Sequence, residues 1–246
     1  MEAVILAGGF ATRMYPLTEN YPKALLALQG KTLISYTLDK IVKLGNISKI
    51  YFLSNDLFAS KFRSYLEQNY SKNRIVLVNN GVTNLSERLG ALGDLNFIIH
   101  KENINDDLLV VASDTLTSID FTKFINYFKQ NKGFINAVYD IKDTNKIKNR
   151  LGCPEIKGNK IINFSEKPPE PKSSYISIPF YIYPKKSLGL IDKYIKEGNP
   201  KDAPGSIIPW LVGKMPVFAY NIGSGYYYDV GTIEDYNYLR EHFTPK

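Results

Sequence analysis

MEAVILAGGFATRMYPLTENYPKALLALQG, residues Met1 to Gly30, sets an apolar run directly before paired glycines and follows them with two spaced cations. Val4, Ile5 and Leu6 have the composition of a strand buried on both faces, as in a parallel sheet covered by helices. Gly8 and Gly9 let the backbone turn sharply and bring amide N–H groups close to a ligand. Arg13 adds a planar fork of donors suited to phosphate oxygens, and Lys23 a compact mobile charge. A polyphosphate ligand would use both. Two familiar phosphate loops fail on spacing. Gly30-Lys31-Thr32 has Leu25 where a P-loop needs its first glycine, and Gly8-Phe10-Arg13 does not make the G-x-G-x-x-G of a dinucleotide loop.

The third possibility fits. Leu6-Ala7-Gly8-Gly9-Phe10-Ala11-Thr12-Arg13, Pro16-Leu17-Thr18 and Pro22-Lys23 closely resemble the signature LAGGxGTRxxPLT…PK of the sugar-1-phosphate nucleotidyltransferases. The departure is Ala11, where that family has glycine. A positive φ there would strain alanine by roughly 1 kcal/mol.

At 246 residues and 44% hydrophobic, the chain can bury one large core, and a single domain over 1–246 is the expectation. Residues 1–120 would mainly bind nucleotide and 134–230 mainly sugar phosphate. The start runs straight into a strand with no leader pattern, and no apolar run reaches about 18 residues, so a cytoplasmic protein without a membrane partner is expected. The lone cysteine, Cys153, excludes an internal disulfide. His100 and His242 read as surface residues, which leaves a zinc hydrolase without ligands. A net charge of +7 and a pI of about 9.2 suit anionic nucleotides and sugar phosphates. The lysines are scattered among Asn, Asp and Glu, so nucleic acid is not expected as a partner. A homo-oligomer stays open.

Helical spacing predicts Leu33–Leu44, capped by Thr32, and Phe58–Gln68; strands are predicted over Lys49–Leu53 and Arg74–Val78. This alternation is the doubly wound pattern, which carries its ligands at the C-terminal ends of strands. Gly81, Gly90 and Gly93 fall in a stretch with helical spacing, where each costs about 1 kcal/mol relative to Ala, and suggest backbone near a ligand. Leu89-Gly90-Ala91-Leu92 resembles the family's base-contacting LGTAGAL element, with Glu87-Arg88 altered. A buried strand over Asp106–Ser113 ends at Asp114, and Asp120 reads as the cap of a helix over Phe121–Lys129.

Phe134–Tyr139 is a further strand, and Gly158-Asn159 turns a hairpin between Pro154–Lys157 and Lys160–Phe164. The hairpin leads into Ser165-Glu166-Lys167-Pro168, which resembles the family's FxEKPxxPKS stretch. A strand over Ser174–Pro184 and helices over Ser187–Lys196 and Ala203–Val212 follow, the last with Pro209 as a possible break. Strands over Pro216–Asn221 and Tyr226–Val230 precede a helix over Ile233–Phe243. Tyr226 to Thr232 resembles YWxDVGT, with Tyr227 in place of tryptophan.

The resemblance implies a Rossmann-like mixed α/β sheet with a small antiparallel sugar-binding portion. It implies transfer of a nucleotidyl group from a nucleoside triphosphate to a sugar 1-phosphate, with Mg²⁺ as cofactor. Asp114 and Asp229 would hold the metal, Arg13 the departing pyrophosphate and Lys23 the α-phosphate. Leu6, Ala7, Gly8, Gly9, Ala11, Thr12 and Gly90 would line the nucleotide site, and Glu166 and Lys167 would take the sugar hydroxyls and sugar phosphate. The EKPxxPKSxY run is most like thymidylyltransferases, so a hexose 1-phosphate with dTTP or UTP is expected. Cytidylyl or guanylyl transfer and a non-sugar phosphate acceptor stay open. A non-catalytic nucleotide-sugar regulator is the alternative of another class, motivated by Ala11, Ser113 and Tyr227. A glycosyltransferase would need a D-x-D motif, and Asp114-Thr115-Leu116 lacks the second acid. No hexapeptide repeats are present, and no second, acetyltransferase activity is expected.

Overall fold

The computed structural model describes residues 1–244. The chain runs β1 (Glu2–Ala7), β2 (Ala27–Leu28), β3 (Lys31–Thr32), α1 (Ser35–Ile41), β4 (Ile50–Ser54), α2 (Asp56–Tyr70), β5 (Ile75–Asn79), α3 (Ala91–Lys101), β6 (Leu108–Ala112) and β7 (Thr115–Thr117). It continues as α4 (Phe121–Asn131), β8 (Phe134–Asp140), β9 (Cys153–Lys157), β10 (Lys160–Ser165), β11 (Tyr175–Tyr183), α5 (Leu188–Lys196), α6 (Ile208–Val212), β12 (Val217–Asn221), β13 (Tyr227–Asp229) and α7 (Ile233–His242).

Nine strands form one sheet in the order β5-β4-β1-β6-β11-β8-β12-β10-β9. The first four are parallel: Val4 stands beside Tyr51 on one side and Val110 on the other. β11 then enters antiparallel to both β6 and β8, which makes the sheet mixed. The β9–β10 hairpin is antiparallel and continues the same sheet rather than standing apart.

Strand alternation divides the core in two. Ala3, Ile5 and Ala7 join Leu38, Phe62 and Phe124 on one face, while Val4 joins Leu92, Leu95 and Ile191 on the other. Burial on both faces explains why the parallel strands read as continuous apolar runs. A third cluster joins Met14, Leu116, Val230, Tyr236, Leu239 and Phe243, so it ties the segment after the glycine loop to α7 and to a small ribbon of β7 and β13.

Several predicted boundaries are corrected. The helix expected over Leu33–Leu44 is only Ser35–Ile41, and Thr32 is no cap: it lies in β3 with its hydroxyl on Tyr65 at 2.7 Å. α2 starts at Asp56 because Asn55, fully buried, caps it by accepting from the Phe58 amide at 3.0 Å. The strand expected over Asp106–Ser113 ends at Ala112, and β7 resumes just beyond Asp114. Ala203–Val212 divides into a 3-10 turn, Pro204–Ile207, and α6, with Pro209 in the first turn where its missing N–H costs nothing. Asp120 caps α4 by accepting from the Lys123 amide at 3.0 Å, as expected.

Candidate active site

A cleft of about 1350 Å³ opens along the C-terminal ends of β1 and β6 and over Ser177, Pro179 and Tyr181 of the antiparallel β11. Leu6, Ala7, Gly8, Gly9, Ala11, Thr12, Arg13, Lys23, Gly90, Asp114, Glu166, Lys167 and Asp229, all picked out in the sequence, line it together.

The glycine loop leaves β1 and turns at Ala11, whose φ of 51° and ψ of 40° are left-handed. The strain anticipated for alanine is therefore present, and the Thr18 hydroxyl donates to the Ala11 carbonyl at 2.8 Å to hold the turn. Ser113, which stands before Asp114 where the family has glycine, is outside the positive-φ region and needs no glycine.

Asp114 and Asp229 come together through the β7–β13 ribbon. Asp229 pairs with Thr115 in register, and the Val230 amide donates to the Asp114 carbonyl at 3.3 Å. Lys23 crosses between them, its Nζ 2.5 Å from Asp114 Oδ2 and donating to the Val230 carbonyl at 2.8 Å. Burial in the cleft raises the Asp229 carboxyl well above the ordinary range, and the charge of Asp114 raises it further. Lys23 and Arg13 pull it back. Arg13 lies close by: a side chain at position 231 would meet Asp229 Oδ2 at 3.5 Å and the Arg13 guanidinium at 3.6 Å.

Across the cleft, Glu166 and Lys167 leave the end of β10. Burial raises the Glu166 carboxyl, and the neighbouring Lys167 charge lowers it. Lys167 has a φ of 48°, so the pair sits on a sharply turned backbone. Tyr227, at the motif's tryptophan position, packs its ring 6.4 Å from Tyr139.

Gly90 has a packing reason to be glycine as well. It lines the cleft, but the close approach that requires glycine is to protein: with φ at 78°, a Cβ would lie 2.6 Å from the Lys201 carbonyl oxygen. The Ala91 and Leu92 amides donate to the Asp202 and Lys201 carbonyls, at 3.2 and 2.9 Å, so the N-terminus of α3 is already occupied.

Sequence reasoning missed Asp94, Asn80, Asn55 and Arg150. Asp94 is 7% exposed in the first turn of α3, and burial pushes its carboxyl up to about 6 although Asn80 donates to it at 2.7 Å. One signal was available: Asp94 lies one turn before Ile98, on the buried face of its own helix. Asn55 donates to the Gly8 carbonyl at 3.1 Å, and Arg150 reaches Asp235 at 3.7 Å on the cleft wall.

The family model described as nucleotidyl transferase matches residues 2–244. A protein of Sulfolobus acidocaldarius, provisionally named a mannose-1-phosphate guanyltransferase, is 34% identical over 239 residues, covering 96% of this chain and 61% of its own. The glucose-1-phosphate adenylyltransferase of Fervidobacterium nodosum is 28% identical over 95% of this chain and 59% of its own. The chain thus spans about three-fifths of the length of these curated relatives. Among solved structures, a protein of Bacillus anthracis provisionally named a glucose-1-phosphate thymidylyltransferase, in complex with a sucrose, superposes with a TM-score of 0.79 at 26% identity, covering 98% of this chain and 94% of that one. An apo UDP-glucose pyrophosphorylase, at 16% identity, shares the fold with a TM-score of 0.81. With the glycine loop, the carboxylate ribbon and the matched span in agreement, the chain belongs to the nucleotidyl transferase family.

Proposed function

We propose that the chain joins a nucleoside triphosphate to a sugar 1-phosphate, giving a nucleoside diphosphate sugar and pyrophosphate. The observation that carries this reading is the juxtaposition of Asp114 and Asp229 at the β7–β13 ribbon, in one cleft with the cations of the glycine loop and the Glu166-Lys167 pair.

The donor set suits magnesium. Two hard carboxylates adjoin, each unfavourable to the other, and among the described residues no third acid, histidine or cysteine completes a protein-only metal cage. Mg²⁺ is commonly held by one or two carboxylates together with substrate phosphates. Held by Asp114 and Asp229, it would neutralise charge on those phosphates.

The chemistry needs no nucleophile from the protein. An oxygen of the sugar phosphate, largely ionised at pH 7, attacks the α-phosphorus, and the bond to the bridging oxygen of pyrophosphate breaks. The residues align two anions and offset the developing charge. Arg13 faces the leaving pyrophosphate, Lys167 the sugar phosphate and Glu166 the sugar hydroxyls. Lys23 has to leave Asp114 at least in part to reach the α-phosphate, and a metal on the carboxylates would favour that exchange.

The test is pyrophosphate release with Mg²⁺ over a matrix of nucleoside triphosphates and sugar 1-phosphates. Arg13→Ala and Asp114→Asn are expected to lower turnover at least about 10²-fold with the fold intact, a floor on the effect of charge-stabilising groups in phosphoryl transfer. Near-normal turnover in either variant contradicts the assignment.

A further inference from the structure

The end of the cleft beyond Gly8, away from the paired carboxylates, holds one acid that nucleotidyl transfer as described leaves without a task. Asp94 is nine-tenths buried and lines this end with Asn80, Val82, Leu85 and Arg88. Among the described residues one donor reaches its carboxylate, Asn80 Nδ2 on Oδ1, and no cation pairs with it. The other oxygen, Oδ2, stands 2.5 Å from where a Cβ of residue 8 would be. Glycine in the loop is what gives that oxygen its place. A buried carboxylate with half its acceptor capacity unused is costly, and a donor brought by a ligand would complete it.

The phosphates have their cations at Arg13 and Lys23, and the sugar phosphate has Lys167, so this remaining end falls to the nucleoside. Resting on the proposed transfer reaction, we infer that it takes guanine, with Asp94 accepting from the base's N1–H and 2-amino groups. A carboxylate offers acceptors only. Guanine presents two adjacent donors to match them. Uracil and thymine present one N–H flanked by carbonyl oxygens, which a carboxylate repels, and adenine and cytosine set a ring acceptor beside their single amino group. Arg88 stands on the same wall, its guanidinium 3.3 Å from exposed Asp202, and offers the fork that fits guanine O6 and N7. The inference replaces the pyrimidine nucleotide expected from the EKP run.

The experiment measures equilibrium binding of GTP, ITP, ATP, CTP, UTP and dTTP to the whole chain with Mg²⁺, then pyrophosphate release from each with a panel of sugar 1-phosphates. ITP keeps N1–H and lacks the 2-amino group. The wild-type protein is expected to bind GTP at least about 10-fold more tightly than ITP or any pyrimidine nucleotide, the lower end for a hydrogen bond to a charged group. Asp94→Asn should bring GTP and ITP within about threefold of each other, because an amide cannot accept from both donors. Equal binding of GTP and ITP by the wild type, or tighter binding of a pyrimidine nucleotide, overturns the inference without needing any variant. Pyrophosphate release from a non-guanine nucleotide in preference to GTP overturns the base and leaves nucleotidyl transfer standing. Guanine-selective binding without pyrophosphate release does the reverse.

Discussion

Ala11 shows how one residue can break a motif and leave the backbone in place. The loop needs a left-handed residue between Phe10 and Thr12, and alanine accepts φ of 51° at a cost of about 1 kcal/mol, with Thr18 holding its carbonyl. Ala11→Gly relieves that strain and adds freedom to the unfolded chain worth about 0.4–1 kcal/mol in the opposite sense. Thermal unfolding should therefore show unchanged or slightly raised stability, with turnover within about threefold of the wild type. A loss of more than about 1 kcal/mol would mean that alanine is unstrained. Ala11 was readable because a motif surrounds it. Asp94 offered only its helical spacing, which tells of burial; its meaning depends on Gly8, which reaches it only through folding.

At the level of elements, segments with a period, a turn signal or a motif around them were legible, and the two- and three-residue strands β2, β3 and β7 were not. The strands of the parallel half and the helices α2, α4 and α5 follow from apolar patterning alone. β13 falls inside the strand expected over Tyr226–Val230, but β7, three residues long, carries no period to read, and the two together set the spacing of Asp114 and Asp229. α7 braces this ribbon through Tyr236, Leu239 and Phe243, and its start is a reciprocal box: the Thr232 hydroxyl accepts from the Asp235 amide at 3.2 Å, and the Thr232 amide donates to Asp235 Oδ2 at 3.1 Å. Thr232→Ala is expected to cost about 1 kcal/mol in denaturant unfolding and to lower turnover more than Thr232→Ser does. Equal activity in the two would show that the cap is remote from the chemistry.

Over the whole molecule, the raised carboxyls should give an inverted acid response. The Asp94 carboxyl titrates near 3.8 when unfolded and about 6 when folded, so the folded protein holds its proton more tightly. Its penalty is fully present above about pH 6 and relieved as pH falls toward 4. Melting temperature should therefore rise as pH drops from 7.5 to 5, with Asp94 contributing roughly 1–1.5 kcal/mol of stability over that range. Asp94→Asn should be the more stable protein at pH 7.5, with a flatter profile. A wild-type melting temperature that falls steadily over this range contradicts the burial argument. The β7–β13 ribbon also has a consequence in time. A ribosome delivers the glycine loop first, and it delivers Tyr227–Asp229 only after every strand of the nine-stranded sheet. A nascent chain can thus fold the glycine loop onto its strand while holding one carboxylate of the pair, and the two carboxylates meet only when synthesis has passed β13.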